Sequence, residues 1–299
     1  MAGQQAKEDV LAVLRHVKEG YRRDNVGRLA AALAFYTALS LAPLIILTVL
    51  IAGLVFGPAA AEGEVVRRTQ DAIGPRGAEM IQDILKSATR PSGSPLAIVL
   101  GVAGLLLGAS KLFGEMQQAL NRIWQAPPDA AGFRGKLLKR ILSCVMVIGT
   151  ALVLPVLIVA SVVLDAAAET LVPDLPAGPL LLRAAGLLVP LATAAVLLAL
   201  IYRHVPDATT SWREVRIGAA VTAVLYLVMR ILVGLYMTKN TLASSYGAAA
   251  SFVVVLLWLY YSSVVFYLGA ELTVALGRRK GEVEFAAGRP ARAREPART

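Results

Sequence analysis

Long apolar stretches dominate the chain, and short polar segments separate them. Six stretches are long enough to cross the roughly 30 Å hydrocarbon core of a bilayer as helices. They lie at about 29–56, 94–112, 141–164, 179–202, 215–237 and 247–276. We therefore predict an all-α integral membrane protein with a six-helix transmembrane domain at 29–276. The first stretch begins too late and is too long for the apolar part of a cleaved signal peptide.

Three segments outside these spans have patterns of their own. Residues 1–28 mix apolar and charged side chains at helical spacing, which predicts an amphipathic helix on the inner membrane face. Residues 62–90 predict an outer helical hairpin that is broken at Gly74-Pro75. Residues 277–299 are basic, polar and proline-containing, which is typical of a disordered tail.

Composition and charge agree with the membrane class. Hydrophobic residues make up 57% of the chain and charged residues 17%, and the formal net charge is +10. Soluble domains carry about 25% charged residues. Most Lys and Arg residues fall in four segments, 1–28, 111–140, 203–216 and 277–299. Because Lys and Arg are enriched in cytoplasmic loops, we predict that both termini are cytoplasmic.

The same charge distribution limits the partners that we expect. Cytoplasmic Lys and Arg bind anionic lipid headgroups, so membrane lipids are the expected partners and nucleic acid need not be invoked. One cysteine, Cys144, excludes an intramolecular disulfide, and two histidines are too few for a conventional zinc site. We expect no metal and no cofactor. A homo-oligomer is left open.

Several strings in the chain resemble a known family. They are "ALAFYTALSLAPLIILTVLI" in the first span, "KLFGEMQQALNRIW" after the second and "GAAASFVVVLLWLYYSSVVFYLGAELT" in the sixth. With the six-span pattern, they resemble the YihY/BrkB family of bacterial inner-membrane proteins, once described as ribonuclease BN. The resemblance covers about residues 10–280. It implies a multi-pass protein of the inner (plasma) membrane, with relatives suspected of moving lipids, and it brings no catalytic residues.

Two arginines lie inside predicted spans. At 1.5 Å per residue, Arg183 is about 6 Å and Arg230 about 10 Å from the outer membrane surface. One interpretation is that both line a polar cavity facing outward, where two guanidinium groups suit a phosphate or carboxylate headgroup. The alternative is that Arg183 extends to the headgroups and Arg230 binds backbone carbonyls.

Glu271 is the acidic counterpart near the inner surface, about 10 Å deep. A carboxylate at this depth needs a partner or a function. We predict a structural pair with Lys111, at the inner end of the second span, or with a Tyr or Ser of a neighbouring helix. Coupling to protons is the alternative.

Prolines and aromatic residues within the spans give further candidates. Pro43 and Pro190 each free a backbone carbonyl, so each is either a simple packing kink or part of a broken-helix binding site. Tyr261 shares a predicted helix face with Trp258 and Ser262, and their polar ends need partners inside the bundle.

These observations favour a transporter and argue against an enzyme. No phosphate-binding loop of the GxxxxGK[ST] type and no paired acid and base indicates catalysis, so ribonuclease activity is not expected and we assign no catalytic residue. The leading hypothesis is a transporter of an anionic, amphipathic or lipid-like substrate through a cavity in the helix bundle. The alternative is a membrane scaffold or regulator of the cell envelope that transports nothing.

Overall fold

The computed structural model describes residues 2–89, 95–126, 178–239, 250–279 and 284–285. Seven helices and a pair of two-residue strands make up these segments. In chain order they are α1 (Ala2–Arg23), α2 (Val26–Phe56), α3 (Pro58–Thr89), α4 (Pro95–Trp124), α5 (Gly178–His204), β1 (Ala208–Thr209), α6 (Trp212–Lys239), α7 (Ala250–Arg279) and β2 (Glu284–Phe285). The predicted third span and residues 240–249, which include the start of the predicted sixth span, lie outside the described residues.

Two described helices are long and apolar enough to cross a membrane by themselves. Their apolar parts are Trp212–Val233 in α6 and Ser251–Arg278 in α7. A third candidate is the bent pair Val10–Arg23 and Val26–Ala42, whose axes meet at 64°. The described residues are therefore helical apart from one small ladder, and they contain two or three candidate spans.

Helix α7 is the centre of the packing among the described helices. It packs against α1, α2, α3, α4 and α6, while α5 packs mainly against α6 and contacts α7 through Tyr202. The largest core within the described segments forms where α2 and α6 begin and where α4, α5 and α7 end. We call it the basal core; its largest fully buried members are Val26, Leu120, Ile123, Trp124, Tyr202, Val215 and Tyr267.

Helix α3 folds back along α2 because of two backbone signals. Gly57 ends α2 with a positive φ of 85°, and Pro58 opens the next helix, where its missing N–H costs nothing. Gly74 (φ 82°, ψ 178°) then interrupts the helix before Pro75. Apolar residues of α3, including Val65 and Ile81, pack against α2. The region predicted as an outer hairpin thus consists of two helical parts broken at Gly74, as predicted, with an apolar side covered by α2.

The segment after α7 differs from the predicted disordered tail. Residues 277–279 continue α7, and Glu284 pairs antiparallel with Thr209 while Phe285 pairs with Ala208. Backbone hydrogen bonding to a partner strand, which sequence composition does not encode, orders this part of the segment.

Candidate functional site

The elbow between α1 and α2 is fixed by a buried acid. Asn25 takes the left-handed conformation (φ 53°, ψ 50°), which lets the chain turn sharply between the two helices. Asp24, only 4% exposed, accepts a 2.6 Å hydrogen bond from Nη2 of Arg23. Nε of Arg122, from α4, lies 3.6 Å from its other oxygen. The elbow therefore carries a carboxylate held by guanidinium groups from two elements.

The carboxyl group of Glu271, from α7, packs against this elbow at Gly20. Glu271 is 3% exposed. Oε2 of its carboxyl occupies the space that a Cβ at position 20 would fill, and the space is open because residue 20 is glycine. The charged groups that act on Glu271 are Asp24, Arg23 and Arg278. Its Oε1 is buried and has no hydrogen-bond partner among the described residues.

The predicted pair between Glu271 and Lys111 is wrong. Lys111 lies exposed on α4, and the charges around Glu271 come from the elbow and from its own helix. The depth of each charge along the membrane normal was estimated from sequence, but the side of the helix on which Glu271 lies was not. Because α1 bends back across α7, it covers that side.

Arg230 lies beside a polar group of residues at the contact between α6 and α7. Its charge acts on Tyr226, one turn earlier, and the Tyr226 hydroxyl shares a hydrogen bond with Ser262. The rings of Tyr226 and Trp258 meet edge to face at 6.1 Å. Nε1 of Trp258 is buried and has no acceptor within the described part of the chain. We call Tyr226, Arg230, Trp258 and Ser262 the α6–α7 polar cluster.

The remaining candidates from the sequence are Tyr261, Pro43, Pro190 and Arg183. Tyr261 is 45% exposed and packs edge to face on Tyr260, whereas Trp258 and Ser262 are half-buried. Helix α2 continues across Pro43 and α5 across an exposed Pro190, so neither helix is broken at its proline. Arg183 lies in the first two turns of α5, and its side chain is outside the described atoms.

Sequence reasoning missed a reciprocal contact between α6 and α7. Gly218 of α6 faces the hydroxyl of Thr273, and Gly269 of α7 faces the hydroxyl of Thr222. Each threonine also donates to the glycine carbonyl of its own helix, at 2.6 Å from Thr222 to Gly218 and 2.8 Å from Thr273 to Gly269. We call these four residues the glycine–threonine clasp. The signal was present as two G-x-x-x-T strings, since small residues four apart let helices approach closely.

Sequence reasoning also missed a hydrogen-bond network between the α5–α6 loop and the end of α4. Trp124 donates from Nε1 to Oγ1 of Thr210 at 2.7 Å, and Asn121 exchanges two 2.7 Å hydrogen bonds with Asp207. These contacts join residues 86 positions apart. They tie the loop between α5 and α6 to the end of α4, so the basal core is closed by polar contacts as well as by apolar packing.

Comparison with known proteins identifies the family. The family model described as "Virulence factor BrkB" matches residues 17–295. The chain belongs to the BrkB family. The resemblance found in the sequence is thus confirmed, and no solved structure matches the chain.

The relatives of this BrkB-family chain are described as UPF0761 membrane proteins. The one from Alteromonas mediterranea is 27% identical over 259 residues, covering 86% of this chain and 84% of the relative. The one from Tolumonas auensis is 31% identical over 210 residues, covering 66% of this chain and 61% of the relative. The one from Photobacterium profundum is 25% identical over 291 residues, with 96% and 87% covered. With its apolar helices, the chain is a membrane protein.

Several relatives of this BrkB-family chain are longer than it is. The chain spans 61% of the relative from Verminephrobacter eiseniae and 58% of that from Rhodospirillum centenum. These relatives are described as membrane proteins, and their descriptions name no activity.

Proposed function

We propose that this chain is a multi-pass protein of the bacterial inner membrane that moves an anionic, lipid-like substrate. The six-span arrangement with both termini in the cytoplasm is part of the proposal. Catalysis and nucleic acid have no part in it. The single observation that carries it is the buried indole N–H of Trp258, which has no acceptor among the described residues and lies in a cluster with Arg230.

An unused donor of this kind is costly. Leaving a buried N–H without an acceptor costs about 1–3 kcal/mol, so such a group is normally paired with protein, water or ligand. The cluster places this indole N–H beside the Arg230 guanidinium, while the hydroxyls of Tyr226 and Ser262 are bonded to each other and Ser262 donates to the Trp258 carbonyl at 2.7 Å. A phosphate or carboxylate oxygen is the acceptor that such a set of donors suits best.

The surroundings of the cluster favour a substrate with apolar chains. Around Arg230, α6 exposes large apolar side chains within the described part of the chain: Leu225, Val228, Ile231, Leu232 and Leu235. A charged headgroup at Arg230 would therefore have acyl-compatible surface on both sides along the helix. This pairing of one cation with an apolar face matches a lipid-like anion better than a small soluble ion.

Lipid movement in reconstituted vesicles tests this proposal. Purified protein in vesicles with headgroup-labelled phosphatidylglycerol or phosphatidylcholine is exposed to an external quencher. We expect faster loss of the protected phosphatidylglycerol signal, abolished by Arg230→Ala and reduced about tenfold or more by Trp258→Phe, which removes only the N–H. A tenfold effect corresponds to about 1.4 kcal/mol, close to the lower end of the roughly 1.5–3 kcal/mol that one hydrogen bond to a charged group contributes.

Matched variants separate a specific site from general damage. Arg216→Ala removes another exposed arginine of α6, and Trp212→Phe removes the N–H of an exposed tryptophan on the same helix. Both should transport normally. Equal lipid movement by wild type and Arg230→Ala, with both proteins folded, would contradict the proposed site.

One observation favours the second candidate, a membrane scaffold or regulator. Helix α1 exposes Val10, Leu11 and Leu14, which are 54–59% exposed, beside basic side chains. Such a face suits an anionic membrane surface or a partner helix. If deletion of α1 abolished the cellular function while purified wild-type protein moved no lipid, the scaffold would be the better account.

A further inference from the structure

Another buried polar group in the described part of the chain lies at the elbow, away from the α6–α7 polar cluster. Asp24 and Glu271 are 4% and 3% exposed and meet beside Gly20, whose carbonyl accepts a 2.9 Å hydrogen bond from the Asp24 N–H and whose missing side chain leaves room for Oε2 of Glu271. The charge of Asp24 acts on Glu271 at this position. Two ionised carboxylates in contact repel each other strongly when water is excluded. A carboxyl pair of this kind is stable when it shares one proton.

The surroundings decide which acid holds the proton. Asp24 accepts hydrogen bonds from Arg23 and lies 3.6 Å from Arg122, so its negative charge is compensated. Glu271 receives no such bond, since its Oε1 is without a partner in the described residues and its Oε2 lies over Gly20. The carboxyl without donors is the one that gains most from being neutral.

The charges facing Glu271 also indicate the ligand. Arg23 and Asp24 face it from the elbow and Arg278 from its own helix, while Glu115 of α4 acts on Tyr267, one turn earlier in α7. Guanidinium groups so close to the pair repel a metal cation. A proton adds no bulk and supplies the missing hydrogen bond.

We propose that Glu271 is a proton-binding site, and that its bound proton forms a hydrogen bond to Asp24 that locks α1 onto α7. Loss of the proton leaves two buried negative charges in contact across the α1–α7 interface. The left-handed turn at Asn25 is the hinge about which α1 then moves away. The lock does not depend on the proposed transport function, because it needs no substrate.

Infrared spectroscopy tests the protonation state directly. The full chain in nanodiscs of phosphatidylcholine and phosphatidylglycerol is compared with Glu271→Gln and with Glu214→Gln, which alters another buried glutamate. At neutral pH we expect a carboxylic acid C=O band that is lost in Glu271→Gln and retained in Glu214→Gln. A spectrum unchanged by Glu271→Gln would overturn the proposal. Failure of Glu271→Gln to fold would also overturn it, because glutamine reproduces a neutral carboxyl.

Limited trypsin cleavage within α1, at Arg15, Lys18 or Arg22, measures the lock. The wild-type cleavage rate is divided by that of Glu271→Gln at each pH, which removes the pH dependence of the protease. We expect a ratio near one at acidic pH that rises several-fold as the pH is raised. A ratio that stays constant would show that no proton controls the docking of α1.

Discussion

Replacing Gly269 by alanine tests the glycine–threonine clasp most directly. An alanine Cβ at this position would lie 2.7 Å from Cβ of Thr222 and 2.7 Å from the hydroxyl of Tyr202, and it would overlap Oγ1 of Thr222. Ordinary carbon contacts are about 3.5–4.0 Å. Either α6 moves away from α7, or Tyr202 leaves its 2.6 Å hydrogen bond to the Phe266 carbonyl.

The expected change in unfolding free energy combines two destabilising contributions with one stabilising contribution. Overpacking a filled site costs about 1–3 kcal/mol. Displacing the Tyr202 hydroxyl adds about 1 kcal/mol. The better helix propensity of alanine returns up to about 1 kcal/mol. We therefore expect Gly269→Ala to lose about 1–3 kcal/mol of unfolding free energy.

Reversible unfolding in mixed dodecyl maltoside and SDS micelles measures this loss. Tryptophan fluorescence is a suitable signal, because the rings of Trp124 and Tyr202 are 6.0 Å apart in the basal core. Gly114→Ala is the matched control, since nothing lies within 4 Å of a Cβ there, and it should be neutral or slightly stabilising. Combining Gly269→Ala with Thr222→Ala should cost less than the sum of the single changes. Equal stability of Gly269→Ala and Gly114→Ala would refute the reasoning.

Three further predictions address other contacts. Gly20→Ala would place a Cβ 2.9 Å from Oε1 of Glu271, so trypsin should cleave α1 several-fold faster than in wild type. Thr210→Val keeps the side-chain shape but leaves the Trp124 N–H without its 2.7 Å acceptor, so micelle unfolding should show a loss of about 1–3 kcal/mol. Hydrogen bonds from Arg67 and Arg68 lower the pKa of Glu64. The charged form of Glu64 therefore stabilises α3 at pH values above its unfolded pKa, and this stabilisation is lost as the pH falls. Amide exchange of α3 should show this pH dependence, and Glu64→Gln should abolish it.

Periodicity and composition were sufficient for the helical class, because they report local preferences and burial in lipid. They also indicated the break in α3, since Gly74-Pro75 is a local backbone signal. The partner of Glu271 could not be predicted in the same way. Its neighbours depend on the 64° bend at the elbow, and Asn25 marks a bend without stating its angle.

The glycine–threonine clasp and the loop network also depend on contacts between helices that are distant in the sequence. Both G-x-x-x-T strings are visible in the sequence, but pairing Gly218 with Thr273 requires knowing that α6 and α7 are neighbours of opposite direction. The bond from Trp124 to Thr210 spans 86 residues, and no spacing rule connects them. Long-range side-chain contacts therefore came from the structure alone.

Two tryptophans of the same bundle have opposite hydrogen-bonding states, and the difference bears on function. The indole N–H of Trp124 is fully buried and is paired with Thr210, as a purely structural donor should be. The indole N–H of Trp258 is equally shielded and has no acceptor among the described residues. If its acceptor is substrate, Trp258→Phe will slow lipid movement while leaving unfolding unchanged. If its acceptor belongs to the protein, the same substitution will lower stability while leaving the choice between anionic and neutral lipid unchanged.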